Sequence, residues 1–227
     1  MNNSLSGLNR RFDHALLHQE VNEEDIVKLC RDAVEYDFYS IAINPVWVRL
    51  ARQTLSDSRV QILSVSGFPL GASRTDMKVA EAVKGVSDGA REIDMVANIG
   101  WLASNQFGKV ESEIKEVRKS LPYNVILKVI IEAGKLSKEK QVEAARAVIN
   151  GGAQFVKTCT GFFGGATVEQ VKTLHRAAAG EIEVKASGGI RTLQRCRELL
   201  EAGATRLGSS SSVSIMKELY SLESEDD

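Results

Sequence analysis

The chain reads as a single-domain α/β protein, a (β/α)8 TIM barrel, and three observations in its 227 residues predict that class. Short apolar runs alternate with windows of helical periodicity along nearly the whole chain. Eight such runs can be counted. No Pro-rich or Ser-rich linker separates them. Alternation of this kind means parallel strands joined by crossover helices. Eight units in a chain of this length suit a closed barrel better than a doubly wound sheet.

RFDHALL (11–17) is the weakest of the eight strand candidates. EEDIVKLCRDAVEY (23–36) follows with apolar residues at helical spacing, and FYSIAIN (38–44) and VQILSVS (60–66) supply the second and third strands. Three later segments then repeat one grammar: AEAVKGVSDGAREIDMV (80–96), AARAVINGGAQFVKT (144–158) and CRELLEAGATRLGSS (196–210). In each, a helical pattern stops at a glycine followed by alanine, and an apolar run begins at once. Glycine supplies the left-handed backbone that ends a helix, so each segment is a joint from helix to strand. The fourth, sixth and eighth strands come from these joints. VESEIKEVRKSL (110–121) leads to the fifth, VILKVII (125–131), and TVEQVKTLHRAAA (167–179) to the seventh, EIEVKAS (181–187). The last residues, SLESEDD (221–227), read as a short acidic, solvated tail.

Hydrophobic residues make up 43% of the chain, enough to bury one substantial core. The formal net charge is -1 with both signs interspersed, which leaves no electrostatic footprint for nucleic acid or an anionic membrane. Any phosphate contact should therefore be local. The N-terminus MNNSLSGLNRRF lacks an apolar secretion core, and no run approaches the roughly 18 apolar residues that span a bilayer, so a cytoplasmic protein is expected. Cys30, Cys159 and Cys196 have no C-x-x-C spacing and read as small buried residues in a reducing compartment. Cys159 would face the same side as Lys157 if its strand continued, but no histidine base accompanies it to make a thiol nucleophile. His14 and His18 stand four apart, yet His175 falls in an outer helix, so no metal site is expected. Trp47 and Trp101 read as packing residues.

Active sites of such barrels lie at the C-terminal ends of the strands, so charges that end apolar runs are the ones to inspect. Four runs carry one: Asp94 in EIDMV, Lys128 in ILKVII, Lys157 in QFVKT and Lys185 in EVKAS. Taken singly, each is equally well a rim charge or half of a structural ion pair. Two lysines on consecutive strands are harder to explain that way, because they repel. A lysine at its ordinary pKa of about 10.4 is well under 0.1% neutral at pH 7. A second ammonium about 5 Å away, at an effective dielectric near 20, costs about 3 kcal/mol and lowers the pKa by about two units. One lysine can then attack a carbonyl to form a Schiff base while the other stays charged, and Asp94 can shuttle protons to and from the carbinolamine. Glycines mark the other end of a substrate. SGGIR (187–191) follows the seventh strand and GSSSS (208–212) the eighth, and each opens a helix. Free N–H groups there hold phosphate well, and these two loops are the recurrent phosphate position of the fold.

Several blocks, in order and over nearly the whole chain, resemble the deoxyribose-phosphate aldolase family: FDHALL, SIAINP, GFPLGA, EIDMVANIG, LKVIIEAG, FVKTCTGF with GGAT, VKASGGIR and GATRLGSSSS. The resemblance implies that Lys157 is the Schiff-base lysine, Lys185 the second lysine and Asp94 the proton donor and acceptor. Asp13, Lys128 and Thr160 would line the substrate pocket. Gly161, Gly188, Gly189, Ser209 and Ser210 would contact the phosphate. The implied reaction is reversible cleavage of 2-deoxy-D-ribose 5-phosphate to acetaldehyde and D-glyceraldehyde 3-phosphate, without metal or organic cofactor. A homodimer or higher homo-oligomer is also implied. Departures from the family pattern fall at the shortened loop TCTGFFGGAT with Cys159 in place of serine, at Ala42 in place of cysteine, and at the GSSSS run. Some relatives use a C-terminal tyrosine, for which Tyr220 is not an obvious equivalent. Two rival readings are a phosphosugar lyase or isomerase of another kind, and a non-catalytic phosphometabolite-binding protein. Strand-end histidines are nearly absent, which disfavours an isomerase, and the intact acid and lysine pair disfavours a mere binder.

Overall fold

A computed structural model describes residue 5 and residues 7–225. The eight apolar runs form strands β1 (Phe12–Leu16), β2 (Ser40–Ile43), β3 (Gln61–Ser66), β4 (Glu92–Val96), β5 (Ile126–Ile130), β6 (Phe155–Lys157), β7 (Glu183–Ser187) and β8 (Arg206–Ser209). They pair in chain order and entirely in parallel, and β8 returns to β1 to close a barrel. Closure leaves no sheet edge exposed. Helices α1 (Glu23–Glu35), α2 (Val48–Thr54), α3 (Thr75–Asp88), α4 (Ile99–Ala103), α5 (Phe107–Ser120), α6 (Lys138–Asn150), α7 (Val168–Ala178), α8 (Leu193–Glu201) and α9 (Ser212–Glu225) connect the strands. The short α2 and α4 have too few turns to show a helical period in the sequence.

Local chemistry explains where these elements start and stop. Asn22 and Asp25 form a capping box at the start of α1, and Thr167 with Gln170 does the same for α7. At the three repeated joints, Gly89, Gly152 and Gly203 have φ of 128°, 82° and 110°. Such angles are open to glycine and strained for other residues, so each joint turns helix into strand within a few residues.

The main apolar core lies between the sheet and the helices; it includes Ile41, Ile93, Val129, Val156 and Leu207 from the strands and Ile114, Val148 and Leu199 from helices. Residues alternate along a strand, so the other side chains of each strand point into the barrel. That interior is divided. Ala42, Leu63 and Val65 make a small apolar cluster on the side of β2 and β3, while charged groups from β1 and β4 to β8 fill the rest.

Several smaller expectations are settled by the fold. All three cysteines are buried and free. Trp47 and Trp101 pack partly buried against the core. His14 and His18 lie on and just beyond a strand instead of a helix, with His14 buried and His18 exposed, so their spacing does not bring them together. At the acidic end α9 runs through residues 221–225, with residues 221–224 exposed to solvent, while 226 and 227 lie outside the described residues. Tyr220 stacks against Tyr36 at 6.4 Å, just before β2, at the opposite end of the barrel from the strand C-termini. Among the described residues no helix is long and apolar enough to cross a membrane.

Candidate active site

Register brings the expected charges together. Asp94 on β4 pairs with Lys128 on β5, and Lys157 on β6 pairs with Lys185 on β7. All four side chains turn inward and are buried, Lys157 being 3% exposed and Lys185 1%. Asp94 Oδ2 accepts from Lys157 Nζ at 2.7 Å and from Lys185 Nζ at 2.7 Å. Lys185 Nζ also lies 2.5 Å from Asp13 Oδ2, and Lys128 Nζ is 3.4 Å from Asp94 Oδ1. Beneath this layer, Glu92 pairs closely with Lys128 and lies 3.3 Å from Arg206. Arg206 in turn lies 2.7 Å from Asp13 Oδ1, which also accepts from Ser40 Oγ at 2.7 Å. Glu92 and Arg206 belong to the site although each begins its strand, where a charge reads in sequence as a loop boundary.

Burial and charge act against each other here. Burial alone would raise the carboxyl of Asp94, but Lys157, Lys185 and Lys128 outweigh it and hold the group far below its ordinary range. Asp13 is held low in the same way, by Lys185, Lys128 and Arg206 against burial. Lys185 goes the other way. Burial, with help from Lys157 and Lys128, outweighs Asp13 and Asp94 and brings it down to about 8. Burial pulls Lys128 down, yet Glu92, Asp94 and Asp13 more than offset this and leave it raised. The like-charge expectation therefore needs a correction. The two lysines are close, but one carboxylate stands between them, and the downward shift is found on Lys185.

A cavity of about 390 Å³ opens above the pair at the C-terminal ends of the strands. Lys157 and Lys185 form its floor, and Thr160 and Gly161 part of one wall. Asp13 and Lys128 do not line it, contrary to the substrate-contact expectation; both are fully buried behind the lysine pair and spend their charge on neighbouring side chains. Thr160 lines the cavity with its hydroxyl already engaged, donating to Glu132 Oε2 at 2.7 Å and accepting from the N–H of Phe162 at 3.2 Å. Cys159 is buried, donates from Sγ to the Ser187 carbonyl at 2.8 Å, and has its thiol pushed up by burial, which makes it a packing residue and not a nucleophile. Phe162 meets Phe68 edge-on at 5.4 Å and faces His18 at 6.1 Å, which gives the cavity an aromatic rim.

Gly188, Gly189, Ser209 and Ser210 make the far wall. The backbone N–H groups of Gly188, Gly189 and Ser210 donate to no other group among the described residues, so three donors are free beside the cavity. A Cβ on Gly188 would stand 2.8 Å from the Gly164 carbonyl oxygen and 3.0 Å from the Cα atoms of Gly161 and Gly165. Glycine there lets the loop after β6 pack directly on the loop after β7. Ser209 is less a ligand than a brace: its Oγ donates to the Ile190 carbonyl at 2.7 Å and accepts from the Ser211 N–H at 2.9 Å. Arg191 also lines the cavity. Its place directly after SGGI, ahead of α8, brings a positive charge to the cavity that the loop pattern alone does not single out.

Comparison with known proteins assigns the chain to a family. A profile of the DeoC/LacD family aldolases matches residues 10–214. A deoxyribose-phosphate aldolase of Natranaerobius thermophilus is 46% identical over 215 residues, covering 94% of this chain and 98% of that one. One from Carboxydothermus hydrogenoformans is 47% identical over 216 residues, with 93% and 95% covered. The structure of a deoxyribose phosphate aldolase from Aeropyrum pernix, described as a unique tetramer, superposes with a TM-score of 0.90 at 31% identity, over 96% of each chain. The chain belongs to the DeoC/LacD family of aldolases.

Proposed function

We propose that the chain is a class I aldolase, a carbon–carbon lyase that reversibly cleaves 2-deoxy-D-ribose 5-phosphate to D-glyceraldehyde 3-phosphate and acetaldehyde in deoxyribose phosphate catabolism. One observation carries the mechanism: Lys157 and Lys185 share a single buried carboxylate oxygen, Asp94 Oδ2, at the floor of a cavity walled by free backbone N–H donors. Lys157 is the nucleophile. Its neutral Nζ adds to the aldehyde carbon of the open-chain sugar, and loss of water from the carbinolamine leaves a protonated imine. Removal of the C3 hydroxyl proton breaks the C2–C3 bond, and the bonding pair flows into the iminium to give an enamine. D-glyceraldehyde 3-phosphate leaves. Protonation of the enamine carbon and hydrolysis then return Lys157 and release acetaldehyde.

Asp94 is the proton shuttle, already in contact with both amines. Lys185 is its partner. With a pKa of about 8, it is about one-tenth neutral at pH 7 and can take up the proton that Lys157 must lose. The phosphate is held by the N–H groups of Gly188, Gly189 and Ser210 and by the Arg191 charge, with Gly161 and Ser209 shaping the cradle. Asp13 and Lys128 act from below the cavity on the charges of the pair, and Thr160 fixes the loop that bears Phe162. Every step uses side chains of the chain itself. A homo-oligomer belongs to the same proposal, with the tetrameric Aeropyrum pernix relative as its support, and a cytoplasmic location goes with it.

Incubation with 2-deoxyribose 5-phosphate, with both aldehydes quantified by enzyme-coupled assay, tests this. Equimolar acetaldehyde and glyceraldehyde 3-phosphate are expected. A ketose phosphate as the sole product would point to an isomerase, and binding without turnover to a phosphometabolite-binding protein; either outcome would refute the proposal.

A further inference from the structure

Glu92 and Arg206 complete the charged interior at the far end from the cavity, each at the first position of its strand, 1% and 7% exposed. Neither touches the cavity. The ion pairs close a ring in which the signs alternate: Lys128, Asp94, Lys185, Asp13, Arg206, Glu92, and back to Lys128. The ring is neutral. Lys157 stands outside it, joined through Asp94 Oδ2 alone, so a protonated Lys157 adds one positive charge to a neutral ring.

We propose that Glu92 and Arg206 are positioning residues that set, from the closed end of the barrel, how readily the reactive amine gives up its proton. The inference rests on Lys157 acting as the nucleophile. Glu92 draws Lys128 away from the reactive layer. Without that carboxylate, Lys128 would keep only Asp94 Oδ1 at 3.4 Å and Asp13 Oδ2 at 3.8 Å, and would compete with Lys157 and Lys185 for the same anion. Arg206 does the reverse. It engages Asp13 Oδ1 at 2.7 Å and stacks on the Tyr39 ring at 3.6 Å, so without it Asp13 would compensate Lys185 more fully. Among the described residues β2 and β3 bring no further charge to the ring; they supply Ser40, Ala42, Leu63 and Val65, with Tyr39 beside Arg206. On the cavity side of Lys157 the titratable groups are the buried Cys159 thiol and the Glu132 carboxylate, which the hydroxyl and N–H of Thr160 engage, and neither belongs to the ring. In a dry interior, changing one member of such a set shifts all the others.

The test is the pH dependence of kcat/KM for 2-deoxyribose 5-phosphate cleavage in three variants whose fold is checked by circular dichroism. Glu92 and Asp94 are two residues apart on one strand, about 7 Å by the strand rise. At an effective dielectric near 20, a unit charge about 7 to 12 Å away moves the acid limb by about one to two pH units. Glu92→Gln should lower the limb, and Arg206→Gln should raise it. The paired variant, Glu92→Gln with Arg206→Gln, removes one charge of each sign and should stay within about 0.3 units of the parent. Opposed shifts are what a purely structural role would not produce. Folded variants with unmoved limbs, or with limbs moved in the same direction, would overturn the proposal. If a single variant does not fold, the paired variant and Arg206→Lys carry the test, and a displaced limb in either, or failure of both to fold, overturns it as well. Acetaldehyde and borohydride trapping of the parent protein, run alongside, separates the two claims. An adduct on Lys157 with unmoved limbs sinks this inference alone, whereas an absent adduct sinks the nucleophile assignment beneath it.

Discussion

Lys185→Leu removes one of two ammonium groups that share a single oxygen. Each Nζ lies 2.7 Å from Asp94 Oδ2, so the nitrogens are no farther apart than twice that distance. At about 5 Å and an effective dielectric near 20 they repel by about 3 kcal/mol, about two pKa units. The substitution also leaves Asp94 Oδ2 wholly to Lys157, an effect of the same sign. The acid limb of acetaldehyde trapping should therefore move up by about two pH units, and the trapping rate at pH 7 should fall about 100-fold. Asp13 keeps Arg206 and Ser40 as partners, so the barrel should still form. The assay is borohydride trapping of acetaldehyde across pH 5 to 10 in roughly unit steps, with circular dichroism on each sample. A folded variant whose limb coincides with the parent's would refute the electrostatic reasoning, because the second ammonium could then contribute no repulsion to the pair.

Asp94→Asn should separate imine formation from turnover: kcat falls by about 10²–10⁴-fold, while Lys157 is still trapped at pH 7, now without a counterion to keep it charged. Loss of trapping in step with turnover would contradict the shuttle role. Gly188→Ala puts a Cβ 2.8 Å from the Gly164 carbonyl oxygen at a φ of 83°, which should raise KM for 2-deoxyribose 5-phosphate about tenfold and leave unphosphorylated 2-deoxyribose little affected. Equal losses on both sugars would remove the phosphate from that loop. His14, 4% exposed against Phe38, is brought down by burial to about 4 from 6.5. The unfolded chain takes up a proton between those values and the folded chain does not, so stability falls as pH drops through that window, by up to about 3 kcal/mol. Thermal melts should show this loss in the parent and much less of it in His14→Gln; parallel pH profiles would exclude the histidine as its source.

Much of the site was legible because a charge that ends an apolar run has few places to go in a parallel barrel. Asp94, Lys128, Lys157 and Lys185 each break an apolar run, and the period of two puts them inside once the sheet closes. The joints at Gly89, Gly152 and Gly203 were legible for a similarly local reason, since only a left-handed residue turns helix into strand so abruptly. What escaped depended on contacts between distant segments. Glu92 and Arg206 stand at strand starts, and their burial follows from barrel closure, which no local pattern encodes. The depth of Asp13 and Lys128 within the barrel is a matter of stagger between strands, invisible along any one of them. The pairing of Thr160 with Glu132 joins loops after β5 and β6, and Glu132 itself adopts a left-handed φ of 49° that its residue type does not advertise. The nearness of the two lysines follows from their neighbouring strands, but the carboxylate between them comes from β4, two strands away from Lys157.

The central claim is that Lys157, and not Lys185, carries the covalent intermediate. Incubation with acetaldehyde, borohydride reduction and peptide mapping by mass spectrometry test it most directly. One N-ethyl group is expected, on Lys157, with loss of activity in proportion to its formation. An adduct confined to Lys185, or activity lost while Lys157 remains unmodified, would contradict it.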